Sequence, residues 1–353
     1  MSDTRYRYGI IGTGRPYGTP EATGFGMAHT HFDAFKPWNK TDLVSIAELR
    51  DDNAHFFMEK NHCSPKHYHD YHEMLAQEKL DIVSVCVWPH LHAEMSIAAI
   101  EAGAKVVFCE KPIATTWADC LRMKEVADKH GALLAFDHQR RFIKTFQAVK
   151  AHLDTGIIGE LKTIEAECGD LYDWGTHWLD LMFMYNDETP AEWVVGQIDS
   201  RSEHVIFGAP MENQGVMHWK WKNGVRGFMT AGYEAEIGAA HRLTGTDGII
   251  EVASNPWKLR IKGKGDAEWR DIETPQGDMW DYALAAQDIM KQLDEPGYVS
   301  SLSINNAIQH TALIFGAYYS SKIRGRVDLP LTYGGNAFTE MLEAREIGPN
   351  RRI

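Results

Sequence analysis

No stretch of this 353-residue sequence approaches the roughly 18 apolar residues in a row that a membrane-spanning helix needs, so membrane association is not expected. Basic residues are in deficit. The 36 Lys and Arg against 49 Asp and Glu leave a formal charge of −13. Nucleic acids and anionic lipid surfaces attract a basic face, and this balance excludes both as expected partners. Cysteine is scarce. Cys63, Cys86, Cys109, Cys120 and Cys168 form no Cys-x-x-Cys pair. An odd, scattered set predicts reduced thiols and a cytoplasmic protein rather than a disulfide framework. The opening residues Met1 to Tyr8 carry no apolar signal-peptide core and run directly into a strand pattern. Internal repeats and low-complexity segments are also missing.

What is present is ordinary globular composition, 44% hydrophobic and 24% charged, in a chain long enough for two domains. The first third alternates strand and helix signals. Strands are expected at Tyr6 to Ile11, Leu43 to Glu48, Asp81 to Val87, Val106 to Phe108 and Leu133 to Phe136. Helices are expected at Gly26 to Phe35, Asp51 to Lys60 (capped by Asp51 or Asp52), Asp70 to Gln77, His92 to Ala102 and Trp117 to His130. This alternation implies a parallel, doubly wound sheet over residues 1–138.

From residue 139 onward the pattern changes. Helices at Phe142 to Leu153 and Asp173 to Tyr185 are followed by consecutive strands between Glu192 and Ile261, joined by turn signals such as Lys222-Asn223-Gly224. Late helices are expected at Met279 to Leu293 and Ile304 to Ser321, and a polar tail from Ala344. The expected fold class is α/β, with an N-terminal Rossmann dinucleotide-binding domain (1–138). A C-terminal α/β domain (139–353) carries a large open, mostly antiparallel sheet.

Chemistry-bearing residues cluster at strand ends and one helix start. Gly12-Thr13-Gly14 closes the first strand with a Gly-x-Gly turn, where small residues let backbone amides approach a pyrophosphate. The third glycine of the usual spacing falls on Tyr17, so Gly26 takes that place after an insertion from Arg15 to Phe25. Glu48 ends the second strand, where a carboxylate accepts ribose hydroxyls and repels a 2'-phosphate. NAD is therefore favoured, and Arg50 leaves NADP open. Lys111, in Glu110-Lys111-Pro112, follows the fourth strand at the edge where open parallel sheets bind ligands. Pro112 restricts its direction. Asp173 and His177 share a helix face at i, i+4, with Asp180 at i+7. A carboxylate beside an imidazole suits a general base.

Taken singly, each has a plainer reading: a tight turn, a solvated strand end, a surface Lys-Pro turn, a helix cap with a core histidine. Arg140-Arg141 opens the second domain as a solvated helix start or a contact to substrate or cofactor. The histidine-rich stretch His62 to His72 has spacings that match no standard metal site, and no metal is expected.

Taken together, these residues resemble the Gfo/Idh/MocA family of oxidoreductases. The resemblance is carried by Gly9 to Gly14, by Val87-Trp88-Pro89-His90-Leu91-His92, by Ala99 to Pro112, by Arg140-Arg141-Phe142 and by Asp173 to Asp180. It implies a nicotinamide-dependent dehydrogenase of a sugar, sugar derivative or cyclitol, active as a homodimer or homotetramer through its open sheet. In that frame Lys111, Asp173 and His177 form the catalytic set. Gly12, Thr13, Gly14, Gly26, Glu48, Arg50, Trp88, Pro89, His92, Glu110 and Lys111 face the cofactor. Arg141 and Trp174 join Lys111, Asp173 and His177 at the substrate. A glycosidase using NAD for transient oxidation and a non-catalytic nucleotide sensor are the alternatives. The Arg15–Phe25 insertion is a departure from the family pattern beside the pyrophosphate position.

Overall fold

The structure, a computed structural model, describes residues 5–232, 237–253, 256–274 and 280–350. It divides into two compact units. The first begins with β1 (Tyr6–Ile11), α1 (Met27–Phe35), β2 (Thr41–Ala47), α2 (Asp51–Asn61), β3 (Lys66–Tyr68) and α3 (Tyr71–Glu78). It continues with β4 (Ile82–Val85), α4 (His92–Glu101), β5 (Val106–Cys109), α5 (Trp117–His130) and β6 (Leu133–Phe136). All six strands are parallel, in the order β3-β2-β1-β4-β5-β6. That is the order of the doubly wound dinucleotide-binding fold. β4, β5 and β6 are buried at every residue, as strands covered on both faces must be.

Local signals set most boundaries. The Asp70 carboxylate accepts the His72 amide at 2.8 Å and starts α3. Thr116 caps α5, and Gly131 ends it in the left-handed conformation. The cap of α2 differs from expectation: Arg50 holds that position, and Asp51 and Asp52 lie in the first turn, where their charge meets the positive helix end. β3 is also unexpected, since it is three residues inside a histidine-rich stretch that reads as a surface crossing.

The second unit starts at Arg140. Its elements are α6 (Lys144–Asp154), β7 (Leu161–Cys168), α7 (Gly175–Tyr185), β8 (Ala191–Asp199), a small hairpin of β9 (Val205–Ile206) and β10 (Ala209–Pro210), β11 (Gln214–Trp221), β12 (Arg226–Gly232), β13 (His241–Gly245), β14 (Gly248–Ala253), β15 (Lys258–Gly263) and β16 (Arg270–Ile272). Next comes α8 (Asp281–Asp294), which belongs to the first unit with the hairpin tip Phe207–Ala209. α8 lies against α1; Trp38 Nε1 donates to the Ala283 carbonyl and Tyr6 to Asp294, both at 2.8 Å. The expected start of this helix at Met279 lies outside the described residues. α9 (Ile304–Ile323) belongs to the second unit from Ile308 on, as do β17 (Val327–Asp328) and α10 (Ala337–Glu343).

Among the described residues the large sheet has nine strands, in the order β16-β15-β14-β13-β7-β12-β11-β8-β17. Its ladders are antiparallel except β7 with β12. The central strand β7 escaped sequence reading, because Lys162, Glu165 and Glu167 break its apolar pattern. One face packs on α9: a Cβ on Gly196 would come within 2.7 Å of the Ala317 Cβ. The other face leaves Val195 and Val216 at 41% and 49% exposure. No helix among the described residues is long and apolar enough to cross a membrane.

Candidate active site

The cofactor half is built where β1 turns into the insertion. Gly12 has φ +85°, and a Cβ there would lie 2.7 Å from the Cys86 carbonyl oxygen, so only glycine fits. A Cβ on Gly14 would meet nothing within 4 Å, which leaves the turn open on that side. Gly26, at φ +65°, caps α1 without a side-chain hydrogen bond, and no acidic residue occupies the first turn. The first amides of α1 are thus available to an anion. Glu48 stands beside the turn: its Oε2 accepts the Thr13 amide at 2.8 Å and the Thr13 hydroxyl at 3.3 Å, and its Oε1 accepts the Arg50 amide at 3.1 Å.

The insertion from Arg15 to Phe25 folds back on the start of α2. Arg15 reaches Asp52 at 2.9 Å and Asn53 at 3.1 Å. The Arg50 guanidinium reaches Asp52 and Glu21, both at 2.7 Å. Arg50 is therefore engaged by two carboxylates rather than held open for a phosphate. The insertion also presents Tyr17 and Phe25, 79% and 55% exposed, with Phe25 edge-on to Phe207 at 5.5 Å. Trp88 is 41% exposed, and Gly208 lies on its ring.

Lys111 follows β5 at the C-terminal edge of the first sheet and is half-buried. Two neighbours expected at the cofactor serve inside the protein instead. The Glu110 carboxylate turns to the buried His31 Nε2 at 3.1 Å, and Asp137 lies 3.5 Å from the same nitrogen. His31 Nδ1 meets the Ser84 hydroxyl at 3.0 Å, and its ring stacks on Phe108. Burial alone would lower the His31 pKa. Cys86, Asp137 and Glu110 together hold it well above its ordinary value. Burial also pushes Asp137 up to about 6, with the Glu110 charge adding to the rise. His92 is fully buried, with one ring nitrogen 2.7 Å from the Pro112 carbonyl and the other 3.0 Å from that of Val87. It ties the loop after β4 to the loop after β5.

In the second unit, Asp173 and His177 are 9% and 5% exposed at the start of α7. Asp173 precedes the helix rather than opening it; α7 begins at Gly175. The turn is held by two buried acids. Asp170 Oδ1 accepts the amides of Asp173 at 2.5 Å and Trp174 at 3.0 Å. Glu212 accepts the Leu171 amide and, at 2.5 Å, the Tyr318 hydroxyl. Arg141, expected at the substrate, is 4% exposed; it donates to Asp180 at 2.6 Å and Glu188 at 2.7 Å, binding α7 to the chain after it. The neighbouring Arg140 stands over the rings of Trp174, Trp178 and Trp257 at 4.4, 4.8 and 5.5 Å. Trp174 remains 41% exposed.

Residues 6–138 match the family model described as "Oxidoreductase family, NAD-binding Rossmann fold", of the Gfo/Idh/MocA oxidoreductases. The nucleotide-binding domain of this chain belongs to that family. The Gfo/Idh/MocA match extends to curated relatives. An inositol 2-dehydrogenase of Salmonella paratyphi B is 27% identical over 179 residues, covering 50% of this chain and 46% of the relative. A myo-inositol 2-dehydrogenase of Thermotoga maritima is 34% identical over 154 residues, covering 44% and 42%. The chain spans less than half the length of these two relatives. A levoglucosan dehydrogenase structure, in complex with NADH and levoglucosan, aligns with TM-score 0.77 and 20% identity over 93% of this chain and 100% of that one. The likeness to it is one of fold.

The Gly-x-Gly turn, Glu48 and Lys111 lie at the ends of β1, β2 and β5, as their sequence positions predict. Sequence reading missed Asp170 and Glu212, which hold the loop carrying Asp173, and the His31 cluster with Glu110, the residue before Lys111. One signal was available: Cys86, Glu110 and Asp137 each directly follow a parallel strand, the edge where functional side chains collect.

Burial first, and then the charge of Asp170, push the Glu212 carboxyl up to about 7. A raised folded-state pKa stabilises the fold fully below the unfolded value of about 4.5, and this contribution disappears as pH rises through about 7. Glu212→Gln keeps an acceptor for Leu171 and a partner for Tyr318 without the titration. From about pH 5 to about pH 8, the unaltered protein should lose on the order of 1–3 kcal/mol more unfolding free energy than Glu212→Gln. Equal losses in urea unfolding would reject this assignment.

Proposed function

We propose that this protein is an NAD-dependent dehydrogenase that oxidises a secondary hydroxyl of a sugar, sugar derivative or cyclitol. The observation that carries the reading is Lys111 at the C-terminal edge of an NAD-binding sheet, in a chain that also holds Asp173 and His177 at the start of one helix. The residues around the turn fit the cofactor. Bare backbone at Gly12 and Gly14, uncapped first amides of α1 and the Glu48 carboxylate beside the turn support a pyrophosphate on the turn and ribose hydroxyls on Glu48. When bound, NAD supplies a hydride acceptor.

In this mechanism His177 takes the proton from the hydroxyl as the carbon gives up its hydride. The Lys111 ammonium hydrogen-bonds the same oxygen and stabilises its developing charge. Asp173 holds neighbouring hydroxyls and biases His177 toward accepting the proton. Asp170 and Glu212 act at one remove by fixing the turn that carries Asp173. The relatives named as acting on inositol support the cyclitol class.

A panel of inositols, sugars and glycosides with NAD or NADP, followed by the absorbance of the reduced cofactor, tests the activity. Net accumulation of NADH is expected; turnover of a glycoside with none would favour transient oxidation in a glycosidase. On the best substrate, His177→Ala should lower the rate by roughly 10²–10⁴-fold, the usual worth of a general base, with NAD affinity nearly unchanged. A variant that kept most of its turnover at neutral pH would assign the proton to another group.

Cofactor choice rests on Glu48. NAD should bind more tightly than NADP in calorimetric titration, and Glu48→Ser should narrow the gap by removing the charge that faces the 2' position. Tighter NADP binding by the unaltered protein would contradict this.

The exposed face of the nine-stranded sheet, with Val195, Val216 and the stacked pair His218 and Phe228, is proposed as the surface of a homodimer or homotetramer. Light scattering at micromolar concentration should give a multiple of the chain mass. A single-chain mass would exclude it.

A further inference from the structure

The histidine-rich stretch has no part in the activity proposed above, and the fold gives it a form its spacing does not suggest. His67 lies in β3 and His69 just past its end, so the two side chains, two residues apart, share one face. Their rings are 4.7 Å apart. Asp51, the first residue of α2, meets them: its Oδ1 lies 3.7 Å from His67 Nδ1 and 3.3 Å from His69 Nε2.

The second nitrogen of each ring faces a backbone carbonyl. His67 Nε2 is 2.9 Å from the carbonyl oxygen of Glu48, and His69 Nδ1 is 3.4 Å from that of Leu49. A carbonyl oxygen only accepts, so at 2.9 Å His67 Nε2 carries its ring's hydrogen, while the longer Leu49 contact orients the His69 ring. In the neutral His67 ring the lone pair then sits on Nδ1, facing the Asp51 carboxylate oxygen with no hydrogen between. Both separations exceed the roughly 2.7–3.2 Å of a good hydrogen bond. The 3.3 Å separation is the edge of a tetrahedron with bonds of about 2.0–2.1 Å, the spacing of nitrogen and oxygen ligands around zinc, and the 3.7 Å one is somewhat longer. The three ligand atoms all lie within 4.8 Å of one another. An imidazole whose other N–H is held by a backbone carbonyl is the usual support of a metal-ligating histidine.

We propose that Asp51, His67 and His69 form a binding site for a divalent transition-metal ion of the zinc class, with the remaining position open to water. Two imidazoles and one carboxylate suit Zn²⁺ or Co²⁺, whereas Mg²⁺ and Ca²⁺ take oxygen ligands. This reverses the expectation of no metal, which rested on spacings within the stretch alone and could not count Asp51. The carbonyls that orient both rings belong to Glu48 and Leu49, and the Glu48 side chain holds the Thr13 amide. An ion here stiffens the segment that carries the ribose-side acid.

The test uses the full chain freed of metal by a chelator and titrated calorimetrically with zinc chloride, alongside His69→Ala and Asp51→Asn. Asp51 and His69 are both largely exposed, so the variants are expected to fold; unchanged melting temperatures without metal confirm it. The unaltered protein should bind about one equivalent in the micromolar range, and each variant at least about 10-fold more weakly. Cobalt should give the visible absorption of a tetrahedral site in the unaltered protein only, and zinc should raise its melting temperature but not that of the variants. Zinc binding that is equal in all three proteins, which assigns the ion to other histidines or cysteines, overturns the proposal. So does the lack of binding below millimolar zinc.

Discussion

The cofactor half of this protein depends on a close backbone approach. β1 ends in the middle of its sheet, and its turn passes so near the Cys86 carbonyl after β4 that Gly12 has no room for a Cβ. The Gly12 amide donates to the Ala47 carbonyl at 2.9 Å, which ties the same turn to the end of β2. Glu48, the next residue after β2, then receives the Thr13 amide. One steric constraint thus joins three strand ends. It leaves a bare turn, an uncapped helix start and a carboxylate side by side, the three elements that recognise a dinucleotide.

A second theme is buried charge that holds a loop rather than a ligand. In the first unit His31 and Asp137 form a buried cluster with Glu110, the residue before Lys111. In the second, Asp170 and Glu212 accept the amides of the turn that carries Asp173, and Arg141 with Asp180 and Glu188 fastens α7. Such groups are costly to leave unpaired in a low-dielectric interior, so each enforces one geometry of the segment it touches. The residues proposed for chemistry are therefore held by neighbours that do none.

What could be read from the sequence follows from range. The Gly-x-Gly turn, the acid at the end of β2 and the lysine after β5 are local signals tied to strand ends, and the parallel sheet follows from alternation alone. β7 was hidden because Lys162, Glu165 and Glu167 interrupt its apolar residues, although it is central to its sheet. Glu110, His92 and Arg141 were assigned to ligands because they are polar and stand beside motifs. Burial sends their side chains to His31, to backbone carbonyls and to Asp180. The grouping of Asp51 with His67 and His69 is tertiary, made by an edge strand too short to announce itself.

In the proposed reaction a hydride leaves the substrate carbon and stays on the nicotinamide. The most direct measurement is the fate of deuterium placed on the carbinol carbon of the best cyclitol or sugar substrate. For a dehydrogenase, one deuterium should be recovered on the nicotinamide ring of the NADH formed, with equimolar ketone product. Unlabelled cofactor, or label returned to the carbon of the product with no net NADH, would contradict it.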